Sequence, residues 1–178
     1  MKPLTPARKA ALVLAAIAGA GSVLTALASD EGKRNTTYID SVGVATNCYG
    51  HTGEDVVLGE TKTDAECLVL LKQDAYNHGL GIATCMQREP PLESFRAFMR
   101  LGYNIGTYNF CKSTVVRRLN EDDLKGACDA MLMWNRGKAR NPARDCIGPV
   151  DKSGRCAMRG LDNRRHSERE QCLKGLNQ

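Results

Sequence analysis

The stretch DEGKRNTTYIDSVGVATNCYGHTG, residues 30–53, follows directly on an uncharged apolar run and carries two carboxylates, Glu31 and Asp40, and a hydroxyl, Thr46. Glycine, threonine, valine and aspartate alternate here over short intervals, which predicts turns and a small β-hairpin system from Tyr38 to about Leu58. Two carboxyl groups and a hydroxyl are a sufficient kit for cleaving a glycosidic bond. One carboxylic acid protonates the leaving oxygen, while the other attacks the anomeric carbon or orients a water that does. The acid must hold its proton near neutral pH, which calls for apolar surroundings or a neighbouring like charge. Taken by spacing alone, Glu31 and Asp40 also fit two ordinary surface acids.

Upstream, Lys2, Arg8 and Lys9 precede ALVLAAIAGAGSVLTALAS, nineteen residues (11–29) without a charge. As one helix they span roughly 28 Å, close to the hydrocarbon thickness of a bilayer. The basic residues on one side predict a cytoplasmic N-terminus with the rest of the chain across the inner membrane. Three readings compete: a cleaved signal peptide, for which Ala26-Leu27-Ala28 has the small-x-small form; a permanent anchor; and a poor anchor able to leave the bilayer. More than half of the run is Ala, Gly, Ser or Thr, so insertion is only weakly favourable.

Downstream the pattern turns helical. Thr63-Asp64-Ala65-Glu66 has the form of a capping box and predicts a helix to about Asn77, ended by His78-Gly79. Pro90-Pro91 starts a second helix with Leu92, Phe95, Phe98, Met99 and Ile105 on its apolar face. A short helix follows Ser113, another runs within Glu121 to Trp134, and a last one from about Asn163 to Lys174. The fold class expected is α+β, a small hairpin lobe ahead of a larger helical one, with residues 1–29 as a membrane-capable segment and 30–178 as the globular domain.

The chain has 178 residues, a formal net charge of +5 and eight cysteines. The cysteines contain no C-x-x-C pair, which argues against zinc, and their even number in an exported chain predicts disulfides made in an oxidising compartment. Cys146 and Cys156 flank the irregular loop CIGPVDKSGRC and are the local candidate pair. Positive charge favours anionic partners in general. The Arg-rich stretch at Arg164, Arg165, His166 and Arg169 has no interleaved aromatics, so no nucleic-acid partner is expected, and Asp162, Glu168 and Glu170 make it read as a solvated, self-paired helix face.

The larger pattern E-x8-D-x2-G-x2-T-x3-GHT, made by Glu31, Asp40, Gly43, Thr46 and Gly50-His51-Thr52, resembles the active-site signature of the phage-type lysozymes, endolysins that degrade peptidoglycan. Three later segments carry the resemblance in the family's order: LGYNIGTYNFCKSTVVRRLN (101–120), GACDAMLMWNRG (126–137) and RGLDNRRHSEREQC (159–172). The resemblance implies two lobes joined by a long helix with the cleft between them, and the helix opening near Thr63 is the candidate. It implies Glu31 as general acid, Asp40 as the carboxylate acting on water or sugar, and Thr46 as a group placing the water or substrate. His51 and Asp74 stand where the family has a structural ion pair. Asn104 either lines the cleft or caps its helix. The implied substrate is the β-1,4 bond between N-acetylmuramic acid and N-acetylglucosamine of bacterial peptidoglycan, cut by a monomer without cofactor or metal. Some endolysins of this kind carry a signal-arrest-release segment, which keeps the exported enzyme tethered and inactive at the inner membrane until the segment enters the periplasm. Residues 1–30 contain no cysteine, so thiol exchange within the segment is closed to this chain. A lytic transglycosylase and a disulfide-rich wall-binding module are the alternatives, and the insertion at 140–158 is longer than the family leads one to expect.

Overall fold

The computed structural model describes residues 1–19, 21–40 and 43–177; Ala20 of the apolar run, and Ser41 and Val42 of the hairpin stretch, lie outside the described residues. The fold is α+β with a helical majority, and the N-terminal run is built into it. Instead of one straight span, the run forms α1 (Pro6–Ile17) and α2 (Val23–Glu31). Gly19 and Gly21 between them have φ of +72° and +71°, the left-handed region where glycine carries no Cβ penalty. Ser22 caps α2 by accepting from the Leu24 N–H, and its hydroxyl donates to the Ile17 carbonyl at the end of α1. No helix among the described residues is long and apolar enough to cross a membrane.

Two strands follow, β1 (Arg34–Ile39) and β2 (Ala45–Cys48), paired antiparallel with Tyr38 opposite Thr46 and Ile39 opposite Ala45. Then comes α3 (Asp64–Thr84), opened by the Thr63/Glu66 capping box with both reciprocal bonds made. α3 runs straight through His78-Gly79, where the sequence reading stopped it, because Gly79 serves packing and not termination. A Cβ there would lie 2.8 Å from Val13 Cγ1 and 2.9 Å from Met99 Cε, so the missing side chain is what lets α1 lie against α3.

α4 (Leu92–Ile105) is the centre of the molecule. Phe95, Phe98, Met99 and Leu101 are buried in one core with Leu12, Val13, Ala16, Val23 and Leu27 of α1 and α2. Two buried arginines of α4, one helical turn apart, receive the N-terminal segment. Arg96 donates to the carbonyls of Ala15 and Ala16, orphaned at the end of α1, and Arg100 pairs with Asp30 at 2.9 Å. Outside the apolar run, the Met1 amine pairs with Asp122 and Arg8 with Glu89.

The body is completed by α5 (Thr107–Cys111), α6 (Thr114–Asn120), α7 (Leu124–Ala130), a 3-10 turn at Met131–Trp134, β3 (Arg136–Gly137), α8 (Pro142–Asp145), β4 (Cys156–Ala157) and α9 (Arg159–Lys174). Of the acids read as opening the helix near Glu121, only Asp123 acts as its cap, accepting from the Gly126 N–H. α9 starts before Asn163 and packs along α4. Four disulfides join Cys48 to Cys67, Cys85 to Cys111, Cys128 to Cys172 and Cys146 to Cys156. The last staples the 140–158 insertion into a hairpin with β3 and β4 paired.

Candidate active site

Glu31 is the last residue of α2, followed by Gly32 at φ +70°, which turns the chain into β1. It therefore sits at the negative end of a helix, where a carboxylate is disfavoured. Its side chain is about one-fifth exposed, and Arg164 of α9 donates to it at 2.9 Å. Burial raises the Glu31 pKa above the ordinary glutamate value; Arg164 opposes that shift without cancelling it, and the neighbouring Asp30 adds to it. This is a carboxyl that holds its proton to higher pH than a solvated glutamate, inside a site with a fixed cation.

The surroundings of Glu31 are held from three sides. Arg164 also donates to the Asp30 carbonyl, and Arg100 grips the Asp30 side chain while donating to Ser167 and Gln171 of α9. Next along α9, Arg165 donates to Asn104 Oδ1 at 3.1 Å and to Glu168 at 2.6 Å. Arg165 and Glu168 are fully buried, and burial pushes the Glu168 carboxyl up to about 7. The stretch read as a solvated helix face is thus an internal polar spine: Arg164 faces the acid, Arg165 is interior, and His166 is the exposed member. Sequence reading missed Arg164, Arg100 and Asp30. The residue separation of 133 between Glu31 and Arg164 leaves no local signal, and only the i, i+3 spacing of Arg165 and Glu168 hinted at a pair.

Asp40 and Thr46 share the hairpin. Asp40 Oδ1 accepts from the Val44 N–H at 2.9 Å, and the Thr46 hydroxyl donates to the Val44 carbonyl at 3.1 Å, so both side chains are fixed by one turn residue. Thr46 is buried, as is Asn47, which donates to Thr37 on β1. Cys48 has φ +51° and anchors β2 to α3 through Cys67. Asn104 is bound by Arg165 and sits one residue past Tyr103, whose hydroxyl donates to the Tyr49 carbonyl after the hairpin. Burial raises the Tyr103 pKa, with the charges of Asp74 and Glu31 contributing.

His51 lies between Asp74 of α3, at 2.9 Å, and Asp55, at 3.1 Å. Burial works against its charged form, yet the hydrogen bonds that the ring N–H groups donate to Asp74 and Asp55 win and raise its pKa above 6.5. The stability this gives is fully present below pH 6.5 and is lost as pH rises through the folded-state value. His51→Gln is expected to destabilise the protein by about 1–3 kcal/mol below pH 6 and by much less at pH 9, in thermal melts across that range. An equal difference at both ends would show that the histidine acts by packing alone.

No group of His, Cys, Asp and Glu among the described residues is arranged to hold a metal ion. A family profile described as phage lysozyme matches residues 28–168. A SAR-endolysin of Enterobacteria phage P21 is 37% identical over 97% of this chain and 96% of its own. The crystal structure of a P22 lysozyme mutant is 32% identical and superposes with a TM-score of 0.67, covering 85% of this chain and 94% of that one. The muramidase domain of SpmX from Asticaccaulis excentricus, 25% identical, reaches a TM-score of 0.74 over 88% of this chain and 97% of that domain.

Proposed function

The chain belongs to the phage lysozyme family and is a glycoside hydrolase, and we propose on that premise that it hydrolyses the β-1,4 bond between N-acetylmuramic acid and N-acetylglucosamine with Glu31 as general acid. The observation that carries the assignment is the Glu31 carboxyl: partly buried, at a helix C-terminus, raised in pKa and oriented by Arg164. Glu31 gives its proton to the departing glycosidic oxygen. Asp40, fixed on the hairpin turn, orients the attacking water or balances the positive charge that grows at the anomeric carbon. Thr46 places the water or the sugar against that turn. Arg164 keeps the Glu31 carboxyl aimed and stabilises the carboxylate left after proton transfer. Asn104, locked by Arg165, contacts the sugar chain.

The enzyme is exported, held in the inner membrane by residues 11–29, and active in the periplasm once that segment leaves the bilayer. Supporting this are the four disulfides, which belong to an oxidising compartment, and the docked α1 and α2, whose last residue is Glu31. While the segment lies in lipid, Glu31 is held at the headgroups, and its contact with Arg164 and that of Asp30 with Arg100 are unmade. In this reading the division at residues 29 and 30 is one of membrane behaviour, because Leu12, Val13, Ala16, Val23 and Leu27 belong to the core of the released protein.

The test uses the purified full-length released protein on peptidoglycan, with products identified by mass spectrometry. Muropeptides with reducing ends are expected. Products with 1,6-anhydro ends would replace hydrolysis by the transglycosylase reaction, and no products from a folded, oxidised sample would leave a wall-binding protein.

A further inference from the structure

α9 buries an ion pair that stability does not account for. Arg165 and Glu168, three residues apart, are both fully buried, and Arg165 Nη2 donates to Glu168 Oε1 at 2.6 Å. Arg165 Nε and Glu168 Oε2 have no hydrogen-bond partner among the described residues. Taking two charges out of water is costly, and an apolar pair of similar volume commonly serves stability as well or better. One thing that Arg165 does lies beyond an apolar side chain: its Nη1 donates to Asn104 Oδ1 at 3.1 Å, from α9 across to α4.

That bond decides the polarity of a half-buried amide. A guanidinium has donors only, so the atom of Asn104 that faces Arg165 must be its carbonyl oxygen. The carboxamide is planar, and Nδ2 is therefore turned away from Arg165, where its two N–H groups donate to no acceptor among the described residues. Asn104 sits in the last turn of α4, which ends at Ile105 because Gly106 takes φ +81°. The neighbouring Tyr103 reaches the Tyr49 carbonyl after the hairpin. On α9 the neighbour of Arg165 is Arg164, which holds Glu31 at 2.9 Å, and the charge of Arg165 itself acts on Glu31. The amide is thereby tied to the helix that aims the acid and, through its neighbour, to the hairpin.

We infer that Arg165 and Glu168 are positioning residues that set specificity: together they hold Asn104 with its N–H groups toward the glycan, where they recognise the carbonyl oxygen of an N-acetyl group. This rests on the hydrolase reading above and on its contact between Asn104 and the sugar chain. Glu168 acts through Arg165, because its carboxylate fixes one arm of the guanidinium fork and so the plane in which the other arm meets Asn104. The choice of ligand atom follows from the fixed polarity. A sugar hydroxyl both donates and accepts and would be held by either end of an amide. Only an atom that accepts and cannot donate is discriminated, and on the sugars themselves the N-acetyl carbonyl oxygen is of that kind.

The experiment measures cleavage of purified peptidoglycan, and titration calorimetry with a soluble N-acetylglucosamine oligosaccharide. It uses full-length parent, Asn104→Asp, Asn104→Ala, the double variant Arg165→Met/Glu168→Leu, and a triple variant that adds Asn104→Ala to the double. Aspartate keeps the acceptor that Arg165 needs and removes the donor. Asn104→Asp is therefore expected to melt no lower than the parent, yet to lose about three- to tenfold in kcat/KM, mainly through KM, and the same factor in oligosaccharide affinity. The apolar double variant is expected to melt near the parent with a loss in the same range. The triple variant is expected to lose no more than Asn104→Ala alone, because groups acting in one network are not additive. Parental KM and affinity in Asn104→Asp, or losses that add in full in the triple variant, would make Asn104 a structural acceptor and overturn the proposal. Asn104→Asp leaves the buried pair in place and carries the test if the apolar pair does not fold. A parent that binds the oligosaccharide but cleaves no peptidoglycan would sink the hydrolase reading, while the affinities would still decide the role of the pair.

Discussion

Glu31→Gln is expected to lower turnover of purified peptidoglycan by about 10²–10⁴-fold, the usual contribution of a positioned general acid, with little change in melting temperature. The stability expectation follows from the surroundings: a glutamine still accepts the hydrogen bond from Arg164 and removes a carboxyl that burial already disfavours. The pH profile supplies a second reading of the same residue. Because burial raises the Glu31 pKa, activity of the parent should fall on the alkaline side through a value above that of a solvated glutamate, and Arg164→Met should move that limb higher still, since the cation opposes the shift. A Glu31→Gln protein with near-parental turnover would remove the residue from the mechanism and leave Asp40 to be examined first.

The second large effect concerns the break between α1 and α2. Replacing Gly19, Gly21 and Ser22 together by Leu is expected to abolish lysis and leave the protein in the membrane fraction. Two independent terms push the same way. Each leucine favours the bilayer by about 0.3–0.6 kcal/mol. In the docked state, non-glycine residues at φ +72° and +71° cost about 1–2 kcal/mol each, and losing the Ser22 cap costs roughly 1 kcal/mol more. Fractionation and culture turbidity check this; a triple variant that lyses cells on the parental schedule would separate activity from departure of the segment from the membrane.

Much of the fold was legible because its signals are local. The Thr63/Glu66 capping box, the Pro90-Pro91 start of α4 and the threonine-rich hairpin each declare themselves within a few residues. What was not legible depends on long-range packing. His78-Gly79 looked like a helix stop because glycine usually is one, and only the arrival of Val13 from residues earlier by more than sixty positions explains a glycine inside α3. The apolar run read as a straight span for a related reason: its composition satisfies a bilayer and a protein core alike, and the two positive-φ glycines gain their meaning from the groove beside α4. The site divided in the same manner. Glu31, Asp40, Thr46 and His51 stand within one short stretch, whereas Arg164 reaches Glu31, and Arg100 reaches the neighbouring Asp30, from more than sixty residues away. In sequence, the interleaved acids and bases of α9 are indistinguishable from a solvated face.

The four disulfides have a consequence for the order of events. Every cross-link lies between Cys48 and Cys172, so oxidation closes loops only downstream of the segment that, on the proposed reading, starts in the membrane. The segment comprising α1 and α2 puts Leu12, Val13, Ala16, Val23 and Leu27 into the core with no disulfide to hold it there. On the proposed reading the receiving surface on α3 and α4 is cross-linked before the segment arrives, and the response time of the waiting enzyme is set by how fast α1 and α2 exchange one apolar solvent for another.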